Sequence, residues 1–522
     1  MSRSNPSIHL PVTEDDQLTD PFNVPATGPE KAGVLDIGSN SIRFVVFDIY
    51  GSHFTPVYNE KVLAGLGRDL KATGRLSDDG KRLALASLSR FQAIAEARGL
   101  SRILVAATAA MREASDAQDF IEDIRVQTGL EVVPVSGEEE ARLSALGLLA
   151  GDPGATGLAA DLGGASLELI RLQDRAPGQR RSLPLGPFDM VGPNLRDADY
   201  ASLIPHIDAA LAELPPILSR TDTLYLIGGA WRNLAAIHMT RSLYPLKTMQ
   251  NYALDTLDAA LLARWAYNEG RDALFDWPGL RARRSETLPY SGLLLERLIR
   301  VLKPRRIEVS LTGLREGLVF DHLPQSVQAR DALLDGCRDF ASGSLQSELF
   351  GPPLMHFVES IADALPVAFD AGIDRRLRQA ACLLAGLGKN LHPDYRAELV
   401  FEDVLYAPIS GLSHPQRVWL ALTLFRSVSR NRKPPNMEAV DRLLDDAQIK
   451  AACALGSAIR LAIVATGRTP DLVGALHLSH ADGCLHLESD VPELLTEQVQ
   501  FRLQKLADRL GFAYQSGSSS DC

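Results

Sequence analysis

Two short segments of this sequence share one pattern and have the residue types that bind phosphate groups. Asp36-Ile-Gly-Ser-Asn-Ser41 and Asp161-Leu-Gly-Gly-Ala-Ser166 both read Asp, aliphatic residue, Gly, two small or polar residues, Ser. Glycine lets the backbone approach a ligand and point N–H groups at phosphate oxygens, and Ser or Asn adds side-chain donors. A single such turn is more simply a tight hairpin. Two copies in matching positions predict a cleft that holds phosphate from both sides.

Carboxylates accompany both predicted phosphate turns. Asp36, Asp161 and Glu168 would lie close to the bound phosphates and would repel them. A bridging Mg²⁺ resolves this conflict because it neutralises carboxylate and phosphate together. The sequence therefore predicts a divalent-metal site at these three residues.

The elements that must position these turns alternate between strands and helices. Strands are predicted at 33–37 and 42–49 around the first turn, and at 158–161 and 166–172 around the second. A helix opened by Ser136 follows the first group and carries three consecutive glutamates in its first turn. This order predicts an α/β protein with two related domains facing one another across a cleft.

The rest of the chain divides by composition and periodicity. We predict a disordered arm (1–30), a first α/β domain (31–155), a second (156–322), a mostly helical region (323–465) and a small α+β C-terminal domain (466–515). In the last domain, Leu472 to Leu478 and Leu485 to Leu487 are predicted to form a hairpin. The tail from Ser516 to Cys522 is predicted to be disordered.

Bulk properties narrow the class of protein. The 522 residues are 46% hydrophobic, which is enough for several cores, and the net charge of -11 argues against a protein that coats nucleic acid. No apolar run approaches the roughly 20 residues of a membrane helix. The five scattered cysteines suggest neither disulfides nor a zinc site. We therefore expect a cytoplasmic protein that binds neither nucleic acid nor membranes.

An ordered set of motifs resembles the exopolyphosphatase and guanosine pentaphosphate phosphohydrolase family, a branch of the actin-like ATPase superfamily. The matching segments are Gly33-Val-Leu-Asp-Ile-Gly-Ser-Asn-Ser-Ile-Arg43, Ala107-Thr-Ala-Ala-Met-Arg-Glu-Ala114, Val135-Ser-Gly-Glu-Glu-Glu-Ala-Arg-Leu143, Asp161-Leu-Gly-Gly-Ala-Ser-Leu-Glu168, Ser182-Leu-Pro-Leu-Gly186 and Gly313-Leu-Arg-Glu-Gly317. The resemblance implies two ribonuclease-H-like domains and hydrolysis of a terminal phosphoanhydride. It also implies a homodimer.

The resemblance assigns roles by position. Glu140 would orient or deprotonate the attacking water, because transfer of a phosphoryl group to water mainly needs nucleophile placement and charge neutralisation. Glu138 and Glu139 fit an acidic first helical turn instead. Arg112 would bind phosphate through its planar guanidinium group, which can donate two parallel hydrogen bonds. The remaining phosphate-binding residues would be Ser39, Asn40, Arg43 and Thr108 on one wall and Gly163, Gly164, Ala165 and Ser166 on the other. Asp161 and Glu168, with Asp36, would hold Mg²⁺ or alternatively Mn²⁺, and a monovalent cation is compatible with this set.

Some positions depart from the family pattern. Ala165 and Leu167 stand where the family usually has glycine and threonine, which predicts weaker phosphate contact. In the helical region, which is expected to resemble His-Asp phosphohydrolases, Ala385 and Gly386 replace the His-Asp pair. We therefore predict that this degenerate HD-like region holds no catalytic metal and instead helps to bind the substrate or forms a dimer interface. Trp231 and Arg232 are bulky where superfamily kinases bind adenosine, which favours hydrolysis over ATP-dependent transfer.

Three functions stay open at this point. They are removal of orthophosphate from inorganic polyphosphate, hydrolysis of guanosine pentaphosphate, and a catalytically weak sensor of either ligand. Basic clusters near Arg281 and Arg430 favour a long-chain substrate, because they would extend an anionic track. The altered turn at Ala165 and Leu167 is the best support for a sensor.

Overall fold

The computed structural model describes residues 29–191, 199–268, 271–275, 277–278, 286–342, 345–429 and 432–518. The predicted arm is too long at its C-terminal end, because Glu30 already begins the first strand; its other residues up to 28 lie outside the described ranges. The basic cluster at 281–284 and Arg430 also lie outside them.

The first sheet contains both sides of the first predicted turn. Its strands are β1 (Glu30–Ile37), β2 (Ile42–Tyr50), β3 (His53–Val62), β4 (Ile103–Ala107) and β5 (Val133–Pro134), in the order β3-β2-β1-β4-β5. β1 pairs antiparallel with β2 and parallel with β4. β2 is rich in β-branched and aromatic residues and is largely buried, as a strand covered on both faces requires.

The second sheet repeats this arrangement. Its strands are β6 (Gly157–Leu162), β7 (Leu167–Gln173), β8 (Ala176–Leu183), β9 (Thr223–Ile227), β10 (Tyr252–Asp255) and β11 (Arg306–Ser310), in the order β10-β11-β9-β6-β7-β8. β6 pairs antiparallel with β7 and parallel with β9, as β1 does with β2 and β4. The prediction of two related α/β halves is confirmed, whereas β8 and β10 were not predicted.

Strand register places the two turns in equivalent positions. Asp36 on β1 lies opposite Arg43 on β2, and Asp161 on β6 lies opposite Glu168 on β7. The two halves therefore present an aspartate at the same point, with an arginine beside one and a glutamate beside the other.

Helices cover both sheets. In the first half of the chain they are Leu70–Thr73, Asp78–Ala97, Ala109–Glu113, Ala117–Thr128 and Gly137–Gly151. In the second they are Pro187–Met190, Tyr200–Ala212, the 3-10 turn Pro216–Leu218, Gly229–Arg241, Thr256–Tyr267, Arg271–Phe275, Leu288–Leu302 and Leu314–Asp321. Two of them exchange sheets: Gly137–Gly151 packs mainly on the second sheet, and Leu314–Asp321 packs on the first.

Two helices join the halves at a close crossing. A Cβ on Gly147 would lie 1.9 Å from the carbonyl oxygen of Gly313, and a Cβ on Gly317 would lie 1.7 Å from that of Leu143. Glycine is therefore required on both helices, Gly137–Gly151 and Leu314–Asp321. Arg142 adds a two-pronged ion pair to Asp321 across the same crossing, at 2.8 and 2.7 Å. The first of these helices also carries Glu140, so the crossing fixes the position of that residue.

The remaining chain is mostly helical and ends in a small sheet. The helices are Gln325–Gln328, Ala332–Ala341, Leu345–Glu359, Ala371–Leu384, Arg396–Tyr406, His414–Val428, Met437–Leu443, Asp446–Thr466, Pro470–Gly474 and Glu497–Leu510, with a 3-10 turn at Pro492–Leu494. The strands β12 (Leu476–Ala481), β13 (Cys484–Ser489) and β14 (Ala513–Ser518) form the sheet. One hydrophobic core extends through the helices and this sheet.

The predicted hairpin is confirmed, because β12 pairs antiparallel with β13. Its predicted start is wrong, because Leu472 lies in the helix Pro470–Gly474 and the first strand begins only at Leu476. Two further expectations for this part of the chain are wrong. Ser516 to Ser518 pair with β13 as part of β14. The helix Asp446–Thr466 has 21 residues and contains an 18-residue stretch with a mean hydropathy of 1.6, so it is long and apolar enough to cross a membrane by length and composition alone. Much of it is buried inside the protein, as in the core helix of a globular protein.

Candidate active site

Both predicted phosphate turns close with the same hydrogen bond. The N–H of Gly38 donates to the carbonyl of Ser41 at 2.9 Å, and the N–H of Gly163 donates to that of Ser166 at 3.0 Å. The two turns are therefore closed in the same way.

The first turn is fixed to the helix Ala109–Glu113. The hydroxyl of Ser39 accepts from the N–H of Ala110 at 3.2 Å, and the N–H of Thr108 donates to the carbonyl of Ile37 at 3.0 Å. Thr108 is buried, whereas Asn40 is exposed. This helix carries Arg112, so the turn and the arginine are held as one unit.

Glu140 and Arg112 form an ion pair. Nη1 of Arg112 donates to Oε2 of Glu140 at 2.9 Å and to the carbonyl of Val135 at 2.9 Å. The Ser136 hydroxyl caps the glutamate-bearing helix by accepting from the N–H of Glu139. Glu139 pairs with Arg142 at 2.7 Å. Of the three acidic residues in this turn, Glu140 is the one directed at Arg112.

The second turn packs against the loop before the helix Pro187–Met190. The N–H of Gly186 donates to the carbonyl of Ala165, and that of Phe188 donates to the carbonyl of Gly164, at 2.9 and 3.0 Å. Ala165 has an ordinary negative φ, so its methyl group causes no backbone strain. Leu167 is fully buried in the core. The two departures from the family pattern are therefore accommodated by the fold.

Four carboxyl groups influence one another between the turns. Burial raises the pKa of Glu140 to about 7, and Asp161 and Asp36 raise it further against the opposing effect of Arg112. Burial raises the pKa of Glu168 to about 8, with contributions from Glu140 and Asp161. Burial likewise raises the pKa values of Asp36 and Asp161, and the charge of Asp36 raises the pKa of Asp161 further. The fold thus brings the predicted acidic residues of both halves into one cleft.

Serine hydroxyl groups orient two of these carboxylates. Ser144 donates to Oδ2 of Asp161 at 2.5 Å, and Ser182 donates to Oε1 of Glu168 at 3.0 Å. Ser144 lies one helical turn after Glu140. The same helix therefore carries Glu140 of the first half and, through Ser144, positions Asp161 of the second half. Ser144 was not singled out in the sequence, because a serine among hydrophobic residues has no distinguishing local pattern. Ser182 lies in the quoted Ser182–Gly186 motif, but no role was predicted for it.

The acidic cleft has carboxylate oxygens, the ligand type of a magnesium site, but the described residues do not supply a complete set of protein ligands. Within the described ranges, no three His, Cys, Asp or Glu side chains are grouped so as to hold a metal ion. Mg²⁺ is commonly bound by one or two carboxylates together with water and substrate phosphates. Asp36 and Asp161 fit this shared mode, because the burial of both carboxyl groups and the effect of Asp36 on Asp161 favour a neutralising cation there. Metal binding by these residues and Glu168 stays a prediction.

Three arginines lie on another side of the aspartates. Burial lowers the pKa of Arg43 to about 10, and the neighbouring Arg315 and Arg232 lower it further. Arg43 donates to Oδ1 of Asn59 at 2.7 Å, and Arg232 donates to the carbonyl of Ser310 at 3.0 Å. Arg315 and Arg232 also act electrostatically on Asp161. No role was predicted for Arg315, although it lies in the quoted Gly313–Gly317 motif.

Other residues considered in the sequence have structural contacts. Trp231 is buried and donates to the carbonyl of Ser291 at 3.1 Å, so it belongs to the core while Arg232 reaches the cleft. His414 is buried, with one ring nitrogen 2.8 Å from the Tyr244 hydroxyl and the other 3.0 Å from the carbonyl of Gln250. These two hydrogen bonds give His414 a structural role.

The paired sheets, the equivalent aspartate turns and the cleft between them define an actin-like ATPase fold. A family model described as Ppx/GppA phosphatase family matches residues 45–326, and one described as exopolyphosphatase, C-terminal, matches residues 358–515. The chain belongs to the Ppx/GppA phosphatase family.

Individual relatives agree with this assignment. Exopolyphosphatase 1 of Mycobacterium bovis is 27% identical over 340 residues, which cover 61% of this chain and 94% of that protein. Retrograde regulation protein 2 of Saccharomyces cerevisiae is 23% identical over 430 residues, covering 75% of this chain and 71% of that protein. The crystal structure of an exopolyphosphatase from Cytophaga hutchinsonii aligns with a TM-score of 0.51 at 23% identity, covering 56% of this chain and 97% of that one. This structural likeness shows the fold alone.

Proposed function

We propose that this protein is an exopolyphosphatase that hydrolyses the terminal phosphoanhydride of inorganic polyphosphate and releases orthophosphate. The observation that carries the proposal is the Glu140–Arg112 ion pair of 2.9 Å, which lies in a cleft containing the aspartates of both phosphate turns. Support also comes from the family and from relatives named exopolyphosphatase.

The geometry suggests a separate role for each group of residues in the reaction. Arg112 binds a non-bridging oxygen of the terminal phosphate, and N–H groups of the two turns face the chain from opposite walls. A water oxygen attacks the terminal phosphorus, the bridging P–O bond breaks, and the shortened chain leaves with the bonding electron pair. Glu140 orients this water and accepts its proton. The Arg112–Glu140 hydrogen bond keeps both groups at the same phosphate.

Mg²⁺, or Mn²⁺ in its place, would neutralise the negative charge shared by the phosphates and by Asp36 and Asp161. Ser144 holds Asp161 in place for that contact, and Ser182 holds Glu168. A monovalent cation, a cytoplasmic location and a homodimer stay predictions.

Guanosine pentaphosphate is the second candidate substrate, because the same site could act on its terminal phosphate. The sensor hypothesis stays open, because Ala165 and Leu167 fit the fold without strain but Leu167 still offers no hydrogen-bond donor to phosphate. It remains the outcome to expect if the cleft binds phosphate chains without cleaving them.

A phosphate-release assay tests the proposal. Purified protein with Mg²⁺ is given long-chain polyphosphate or guanosine pentaphosphate at equal concentrations, and orthophosphate is measured over time. Faster release from polyphosphate supports the proposal, and faster release from guanosine pentaphosphate supports the alternative substrate. Binding of either ligand without release would refute the enzyme and favour a sensor.

A further inference from the structure

An ion pair joins the two α/β halves beside the candidate active site. Nζ of Lys71 donates to the backbone carbonyl of Asp189 at 2.8 Å and lies 3.0 Å from Oδ1 of the same residue. Lys71 is in the helix Leu70–Thr73 of the first half, and Asp189 is in the helix Pro187–Met190 of the second. Both side chains are partly exposed, as in ion pairs that are weak enough to open. We call this contact the cleft bridge.

Short links hold each end of the cleft bridge against one phosphate turn. In the first half, the N–H of Gly67 donates to the carbonyl of Ser39 at 2.8 Å, just before the helix that carries the bridge lysine. In the second half, the N–H of Phe188 donates to the carbonyl of Gly164 at 3.0 Å, and the bridge aspartate is the next residue. The cleft bridge therefore spans the gap between the two turns.

The cleft bridge is also attached to the elements that carry the proposed catalytic ion pair. The N–H of Ser115 donates to the carbonyl of Gly74 at 2.9 Å, which joins the end of the lysine-bearing helix to the helix of Arg112. A Cβ on Gly137 would lie 3.1 Å from Oγ of Ser182, so the glutamate-bearing helix touches the strand that leads to the bridge aspartate. Both ends of the cleft bridge are thus anchored near the position proposed for the terminal phosphate.

Other cations lie on the far side of the aspartates. Burial raises the pKa of Asp36, and Arg315 and Arg43 act against this effect. Burial also raises the pKa of Glu140, where Arg112 acts in the opposite direction and Asp36 adds to the rise. Asp36 is therefore a neighbour of both groups of side chains. A phosphate chain that begins at Arg112 can continue past the aspartates toward these two arginines, whereas the cleft bridge lies in the other direction.

We propose that the cleft bridge is an end stop that restricts hydrolysis to the terminal phosphate of a chain. A chain extending past Glu140 in that direction would have to separate Lys71 from Asp189 and bring its own negative charge against the carboxylate. The neighbouring Phe188 is 38% exposed and offers no hydrogen-bond donor to phosphate. A chain end avoids these obstacles. This inference rests on the proposed hydrolysis of phosphoanhydrides and adds the choice of which bond is cleaved.

Polyphosphate with blocked ends tests the end stop. Long chains are used either with free ends or with both terminal phosphates converted to phosphoramidates of a bulky amine. Each substrate is incubated with Mg²⁺ and either wild type or the double variant Lys71→Ala/Asp189→Ala, and chain length is followed by gel electrophoresis. The control Glu122→Ala/Arg125→Ala also removes one carboxylate and one cation of an exposed ion pair, on the helix Ala117–Thr128.

We expect wild type and the control to shorten free-ended chains stepwise and to leave blocked chains intact. The double variant should cleave blocked chains at least about tenfold faster than wild type and produce fragments of intermediate length, because a chain can then pass through the cleft. Asp189→Asn, which keeps the shape of the side chain, should show the same change to a smaller extent and replaces the double variant if that protein does not fold.

Two results would overturn the end stop. One is that the double variant releases orthophosphate from free-ended chains but leaves blocked chains intact. The other is a double variant that melts like wild type by circular dichroism but cleaves neither substrate, because the cleft bridge would then maintain the site and not select the chain end.

Failure of the proposed function gives a different result. Wild type would then release no orthophosphate from free-ended chains, and the end stop would be overturned together with the hydrolase. If wild type instead cuts free-ended chains into fragments of intermediate length, the hydrolase stands and only the end stop is overturned.

Discussion

Replacing Gly317 with alanine should push the two α/β halves apart and displace Glu140. The new Cβ would start 1.7 Å from the carbonyl oxygen of Leu143 and 3.0 Å from the N of Gly147. These neighbours are helix backbone, so a side-chain rotation cannot relieve the clash, and the helices must separate by more than about 1 Å. Overpacking of this kind costs about 1–3 kcal/mol, and the helix propensity gained by alanine offsets up to about 1 kcal/mol. We expect a net destabilisation of about 2 kcal/mol.

The activity should fall more steeply than the stability. Glu140 lies on the displaced helix, and a shift of about 1 Å in a catalytic group can reduce the rate about 100-fold. Urea unfolding and phosphate release are measured for Gly317→Ala and for Gly474→Ala. Gly474 is the matched control, because it is also helical but a Cβ there meets nothing within 4 Å. Wild-type stability and kcat/KM in Gly317→Ala would refute the role assigned to this crossing.

Three further predictions concern charge. In EDTA, the free energy of unfolding should decrease as the pH rises from 4.5 to about 7, because folded Glu140 keeps a proton that the unfolded chain has lost. In urea titrations, this decrease should be roughly 3 kcal/mol smaller in Glu140→Gln than in wild type. An equal decrease in the two proteins would contradict the prediction. Asp335→Ala should destabilise by about 3 kcal/mol, since buried Asp335 accepts from Ser52, Arg330 and Arg338; a melting temperature equal to wild type would exclude this. Arg112→Ala should raise KM and lower kcat, whereas unchanged kinetics would remove Arg112 from the site.

Local patterns predicted the parts of the site that lie within single turns. The repeated Asp-x-Gly segments predicted two equivalent turns, and the register of Asp36 and Asp161 shows that they are equivalent. The acidic turn after Ser136 predicted the helix that carries Glu140. In each case the signal is a few adjacent residues whose types restrict the backbone directly.

Features made by distant residues were not predicted. Gly147 and Gly317 need glycine because of a contact between helices far apart in the sequence, which no local pattern encodes. The strand β8 has mostly polar, exposed residues without clear alternation, so strand periodicity does not reveal it. Arg232 contributes to the cleft because the fold directs its neighbour Trp231 into the core.

The most direct test of the account compares Glu140→Gln with Glu138→Gln in phosphate release from polyphosphate. Both variants remove one carboxylate from the same helical turn, but Glu140 contacts Arg112 in the cleft whereas Glu138 is exposed. We predict that Glu140→Gln lowers kcat at least about 100-fold while retaining polyphosphate binding, and that Glu138→Gln stays within about twofold of wild type. Normal turnover in Glu140→Gln, or an equal loss in both variants, would contradict the assignment of Glu140 as the water-directing residue.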